Sequence, residues 1–370
     1  MSLFLAAIAY GQDNKQVRFD EKFKKENQGK TKIEINEVKE LLHIMIAITE
    51  VGLENDDMVQ QTGTYYQDML KQFKSFKDEK IIIKFDSLMK INPTNYVLLT
   101  GNAISFKFKG DQLVPDKNYI FPAQSVSSHT TVKVNPMITY KTELENFAKK
   151  SGFRNFYKNH IPYYNSLALQ YNKMANLDEQ WKWLENNFNT RVNNYTILTS
   201  PLINGLNYTT TYKDSGFTQI LMVLPPIDED KERTEQQNMI FNTRVMLTEI
   251  DHNYINAPTK KYASLINEAL KDREKWVNIK QEGTEYYPNP SRIFDEYMTF
   301  AMLPQFITDK HPNDTKAIDY AYLDVNTALK ARGFTKIKEF NDTILSLRKK
   351  YPNKKIEDLY PELLEWCKTQ

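Results

Sequence analysis

The sequence predicts an α+β fold, mainly helical with a small β-sheet. Three observations carry this. Long stretches with apolar residues spaced for one helix face lie early in the chain and again throughout its last third. A compact run of β-branched and aromatic residues lies between them, over Tyr195–Leu224. No repeat, low-complexity block or Gly/Ser linker interrupts the order, so helices grouped around one β section are the simplest architecture.

The elements follow in chain order. Val17–Phe23 and Lys32–Ile35 alternate and read as short strands. Asn36–Leu53 reads as a helix with Asn36 as N-cap and Val38, Leu41, Leu42, Met45, Ile48 and Val51 as its stripe. His43 flanks that stripe and reads as structural. Tyr65–Phe76 is helical. Asn95–Phe108 reads as a hairpin turning at Thr100-Gly101-Asn102. Thr142–Phe188 is mostly helical, with breaks near Ser151-Gly152, Pro162 and Asn176. Tyr195–Ser200, Tyr208–Tyr212 and Phe217–Leu224 are strands, the last stopped by Pro225-Pro226. A helix spans Gln236–Asn256. Further helices fall near Ser291–Leu303, Thr315–Arg332, Lys336–Lys350 and Ile356–Thr369.

Composition bounds the function. The 370 residues can bury a sizeable core, and 41% hydrophobic with 26% charged residues suits a globular chain. Lys and Arg total 49 against 47 for Asp and Glu, so no broad field draws nucleic acid. The basic runs Lys22–Lys32 and Arg348–Lys355 read as solvated surface. The single cysteine, Cys367, excludes an intrachain disulfide framework and a cysteine-rich zinc site. Leu3–Tyr10 (LFLAAIAY) followed by Gly11 resembles the core and cleavage site of a secretory signal lacking its basic start, the alternative being a buried N-terminal strand. Residues 1–12 thus read as a shortened signal segment and 13–370 as one α+β domain, open to two lobes around a cleft. Export to the periplasm or the medium follows, and no run is long enough for an integral membrane segment.

Within Gln236–Asn256, Thr248, Glu249 and His252 occupy one end. Residues i and i+4 share a helix face. Two histidines at that spacing converge on one ion, and a glutamate after the first can take a proton from metal-bound water. Here the first position is Thr248, a neutral hydroxyl on a short side chain. Glu249 and His252 hold the base and second-ligand positions, and Ser291–Leu303 offers Asp295 and Glu296 on a helix rich in apolar residues. A bare Glu-x-x-His arises by chance in about one chain in five of such composition, so these residues alone assign nothing.

The surrounding chain is similar to the exported bacterial family called domain of unknown function 4932, whose members carry His-Glu-x-x-His and a later Glu. The similarity runs through Asn36–Val51, Tyr65–Phe76, Phe153–Tyr164 (Phe153, Phe156, Tyr157, His160), Ile203–Tyr208, Gly333-Phe334 and Tyr360–Leu364. The resemblance implies a zinc-peptidase core of the glutamate-completed (gluzincin) type. It implies Glu249 as general base, His252 and Glu296 as metal ligands, and Asn256 and Tyr262 as a following Asn…Tyr pair. Two positions depart from it: Thr248 stands where the first histidine belongs, and Phe300 where an arginine is expected. Asp251 projects about 100° around the helix from His252, and His129, His160 and His311 can substitute only through tertiary folding.

Three functions follow as expectations. The first is a degenerate metallopeptidase-like protein with zinc weak or absent. It would retain binding of a peptide or protein ligand, by strand addition along Phe217–Leu224. The second is an active zinc peptidase with a substitute ligand. The third is a structural protein in which Glu249, His252 and Glu296 never meet.

Overall fold

Capping side chains open about half of the described helices, and the β section closes into a mixed sheet. The computed structural model describes residues 16–120, 135–205 and 207–370. It divides into two compact units, one within residues 1–170 and 192–226, the other within 171–191 and 227–370. No composition shift in the sequence marks either junction. The Leu3–Tyr10 segment lies outside the described residues. No helix among those described is long and apolar enough to cross a membrane.

The first unit holds helices α1 (Glu21–Asn27), α2 (Glu37–Ala47), α3 (Glu50–Glu54), α4 (Gly63–Phe73), α5 (Lys80–Ile91), α6 (Asn95–Gly101), α7 (Pro136–Thr139), α8 (Lys141–Lys150) and all but the last turn of α9 (Phe153–Met174). Its strands are β1 (Lys30–Glu34), β2 (Phe106–Lys109), β3 (Gln112–Pro115), β4 (Asn194–Thr199), β5 (Tyr208–Asp214) and β6 (Phe217–Leu224). Strands β1, β4 and β6 are parallel, and β5 closes the sheet antiparallel to β6, in the order β1-β4-β6-β5. The β5–β6 hairpin turns on Ser215 and Gly216, both with positive φ, as a two-residue turn requires. β2 and β3 form a separate hairpin.

Strand β4 is buried along its whole length and β6 nearly so, as parallel strands covered on both faces are. This overturns one expectation. Phe217–Leu224 is an interior strand, paired on one side with β4 and on the other with β5, so it has no free edge for a peptide.

Three local expectations also change. Asp20 caps α1 by accepting from the Phe23 amide, so helix replaces the strand expected over Val17–Phe23, and Val17 makes only an isolated bridge to Tyr119. Asn95–Gly101 is helical, not the arm of a hairpin, and the turn moves to Gly110-Asp111 between β2 and β3. Pro162 lies inside α9 without ending it. The carbonyl it frees belongs to Lys158, an exposed residue, so its hydrogen-bonding loss falls on the wet side of the helix.

Asn36 caps α2 by accepting from the Lys39 amide at 3.1 Å. Thr49 both closes α2 and opens α3. Its hydroxyl donates to the Ile46 carbonyl at 2.7 Å and accepts from the Gly52 amide at 3.0 Å. A β-carbon on Gly52 would stand 2.1 Å from the Ile46 carbonyl oxygen, so this corner admits only glycine.

The second unit is helical: α10 (Leu177–Asn187), α11 (Glu235–Ile250), α12 (His252–Lys261), α13 (Ala263–Ala269), α14 (Pro290–Lys310), α15 (Thr315–Lys330), α16 (Ile337–Lys350) and α17 (Tyr360–Lys368). A reciprocal capping box between Thr234 and Gln237 starts α11. Asn289 caps α14, with Pro290 in its first turn. α14 is buried on every face from Ile293 to Ile307 and packs against α11, α12, α13, α15 and α16. A helix apolar all round is the core of its unit, and this one carries Asp295 and Glu296 into it.

Candidate functional site

The helix expected over Gln236–Asn256 is two helices. α11 ends at Ile250, α12 begins at His252, and Asp251 is the joint between them. The Asp251 carbonyl accepts the Tyr254 and Ile255 amides at 2.8 and 2.9 Å, and the Asn253 side chain donates to the Ile250 carbonyl at 3.1 Å. Pro258 sits inside α12 and leaves a further carbonyl without its helical donor.

Thr248 is buried. Its hydroxyl lies 3.0 Å from the Arg244 carbonyl and 3.3 Å from the Val245 carbonyl, to which it donates. That is ordinary back-bonding of a mid-helix threonine, and it uses the hydroxyl proton on the helix itself. Glu249 is buried on the same turn.

His252 is partly buried, and its Nδ1 lies 3.4 Å from the Thr299 hydroxyl on α14. Burial lowers its pKa, the nearby Glu296 carboxylate opposes this, and the guanidinium groups of Arg292 and Arg332 reinforce it. The imidazole is therefore neutral at neutral pH. Glu296 acts on it directly, so α12 and α14 bring these two residues into one electrostatic neighbourhood.

Glu296 is committed to other partners. One carboxylate oxygen accepts from Arg332 Nη1 at 2.8 Å and from the Tyr287 hydroxyl at 3.0 Å. Its side chain is 10% exposed and that of Arg332 24%, so the pair is largely withdrawn from water. Burial first, and then the Glu296 charge, push the Tyr287 hydroxyl far above its usual range, which keeps it a donor. Arg332 also lies over the Phe300 ring, 4.9 Å from its centre, with Arg244 at 6.0 Å. The arginine expected at position 300 is absent, yet two guanidinium groups flank the phenylalanine there.

Asp251 is the least accommodated member. It is fully buried, and among the described residues no side chain hydrogen-bonds its carboxylate, on which the His252 backbone amide acts. Burial, then the charges of Glu249, Glu296 and Asp295, drive its pKa well above the usual carboxylate range. Asp295 is raised to about 6, chiefly by burial.

The remaining predicted positions are placed as follows. Tyr262 stacks on Tyr360, with ring centres 5.7 Å apart. Asn256 lies partly buried on α12. His160 belongs to the first unit, where its Nδ1 lies 2.8 Å from the Phe156 carbonyl and its ring packs on Phe156 and Tyr65. His311 caps the end of α14, and His129 lies outside the described residues. In the basic runs, Lys354 pairs with Glu362, Arg348 with Asp309 and Lys22 with Glu26, as a solvated face does.

These donors do not fit a zinc ion. Three protein ligands must converge within bonding distance. Among the described residues no three His, Cys, Asp or Glu side chains do so. Thr248 is turned into its own helix, and Glu296 already has a cation beside it.

Two features were not read from the sequence. One is Arg332. Its only signal is an arginine directly before Gly333, whose positive φ ends the helical run. The other is in the first unit, where Lys39, Glu40 and His43 are all buried on α2. Its signal is three ionisable residues in a segment that is apolar on every face from Leu41 onward. Comparison of the chain with family models, curated proteins and solved structures gave no match.

Proposed function

We propose that the second unit is a zinc-peptidase-like core whose metal site has become an arginine-held carboxylate, and that the protein binds a peptide or protein ligand without hydrolysing it. The observation that carries this reading is the pair of Glu296 with Arg332 at 2.8 Å, completed by Tyr287. The residue that the family resemblance makes a zinc ligand is satisfied by an internal cation. Thr248 supplies no replacement donor, and without a metal Glu249 has no acidified water to deprotonate. The balanced charge favours a protein ligand over nucleic acid. The gluzincin-type core and the exported location are parts of this proposal. Strand addition at β6 is not, since that strand is interior.

The test is a zinc titration of the purified wild-type chain by calorimetry, together with hydrolysis of an unstructured protein such as casein at saturating zinc. The expected result is no stoichiometric uptake in the micromolar range and no zinc-dependent cleavage. One equivalent of tightly bound zinc with chelator-sensitive cleavage would establish the active peptidase instead, with Asp251 as the first candidate for the substitute ligand.

A further inference from the structure

In the first unit, α2 is the central helix and is buried from Val38 to Ala47. Lys39 is 1% exposed and Glu40 0%. Neither makes a salt bridge within 4 Å among the described residues, and they are adjacent in sequence, so their side chains leave the helix about 100° apart. Lys39 Nζ donates to the Thr100 carbonyl at 3.1 Å and to the Tyr208 hydroxyl at 3.0 Å. One oxygen of Glu40 accepts from the Tyr65 hydroxyl at 2.6 Å. That hydroxyl is in turn 2.7 Å from the Tyr164 hydroxyl. Among the described residues, the other oxygen of Glu40 and Nε2 of His43 lack a well-formed hydrogen bond, although the Ser200 hydroxyl also acts on the Glu40 carboxylate.

A buried charge without a counter-ion is among the costliest things a core can hold. Here two residues face that cost in opposite directions. We propose that α2 is a proton-linked latch: the core favours an uncharged Glu40 and an uncharged Lys39, whereas water favours both charged at neutral pH, so the seat of this helix is loosest near neutrality and tightens toward acid, where Glu40 is protonated without cost, and toward alkali, where Lys39 is neutral without cost.

The titratable groups facing the pair are named by element. Tyr96 comes from α6, Tyr65 from α4, and Tyr157, Tyr163 and Tyr164 from α9. Tyr208 comes from β5, and His43 from α2 itself. Among the described residues, Lys39 is the cation that acts on Glu40 and Glu40 the anion that acts on Lys39. The charged side chains of α3, α5 and β2, which also pack on α2, act on neither.

The directions agree with this geometry. Burial raises Glu40 to about 7, against the hydroxyls of Tyr65 and Ser200 and the charge of Lys39. Burial lowers Lys39 to about 7, against the charge of Glu40. A raised acid contributes stability that is full below its unfolded pKa of 4.5 and is lost as pH rises through about 7. A lowered amine contributes stability that is full above 10.5 and is lost as pH falls through about 7. Both contributions are smallest near neutral pH, the reverse of the usual stability maximum there.

Hydrogen–deuterium exchange of the full chain from pH 5 to 9, corrected for intrinsic rates, reads this locally. Peptides from α2, α4 and α6 are expected to show least protection near pH 7. Protection should rise by up to about tenfold per pH unit on either side, the effect of one linked proton. Glu40→Gln is expected to flatten the acidic limb alone and Lys39→Met the alkaline limb alone. If either variant fails to fold, the wild-type profile still decides. A protection maximum near neutrality in these peptides would overturn the latch, as would folded variants whose profiles match the wild type.

Discussion

Replacing Arg332 with methionine is expected to destabilise the second unit by about 3 kcal/mol, the lower end of the range for breaking a buried ion pair. The lower end applies because the arginine side chain keeps a quarter of its exposure. The substitution leaves Glu296 largely buried, with the Tyr287 hydroxyl still donating to it but without the Arg332 guanidinium. Most of the cost is that stranded charge, not the lost attraction. The control is therefore Glu296→Gln in the same chain. Glutamine still accepts from Tyr287 but carries no charge, so the double variant should recover much of the loss and show clear non-additivity. All four tryptophans, Trp181, Trp183, Trp276 and Trp366, lie in the second unit, so tryptophan fluorescence during denaturant unfolding follows that unit. Additive single and double variants would mean that Arg332 and Glu296 do not act as a pair.

The second large effect is gain of metal. Thr248→His alone is expected to bind zinc weakly, because it supplies an imidazole while Glu296 remains in the grip of Arg332. Combining Thr248→His with Arg332→Met frees the carboxylate and completes a two-histidine, one-glutamate set with His252, whose ring is already neutral. A complete structural site is worth roughly 10–16 kcal/mol, so each protein ligand contributes a few. The double variant should then bind zinc at least about a hundredfold more tightly than either single variant. It should also recover stability in proportion to zinc concentration, since the ion binds only the folded chain. Calorimetry checks the first effect and zinc-dependent melting the second. Equal zinc affinity in Thr248→His with and without Arg332 would show that the arginine is not what keeps the metal out.

Much of the fold was legible because its signals are local. Asn36 before an apolar stripe, the Pro225-Pro226 stop after β6 and the run of C-terminal helices all depend on residues within one or two turns of each other. What failed depended on tertiary context. Asn95–Gly101 is rich in β-branched and aromatic residues, but six of its seven positions are buried in a helix packed on α2, and burial overrode the hairpin reading. Phe217–Leu224 looked like a free strand because sequence order cannot reveal that β5 and β4 flank it. At the candidate site, the spacing of Thr248, Glu249, His252 and Glu296 was readable, and the meaning of Thr248 rested on the family resemblance. The partner of Glu296 was not, since Arg332 is 36 residues away. Lys39 and Glu40 were hidden for a similar reason: a Lys-Glu pair in a helix ordinarily marks the wet face, and only the packed structure shows these two inside.

On the proposed reading, the chemistry of the second unit follows from one substitution of cation for cation. A guanidinium neutralises a buried carboxylate as a metal does, but it presents no open coordination position and activates no water. Crystals of the wild-type chain grown in zinc test this most directly, through anomalous difference density measured on both sides of the zinc absorption edge. The predicted result is no edge-dependent peak between His252 and Glu296, with Arg332 still bonded to the carboxylate. A peak there coordinated by both residues, with Arg332 displaced, would contradict it.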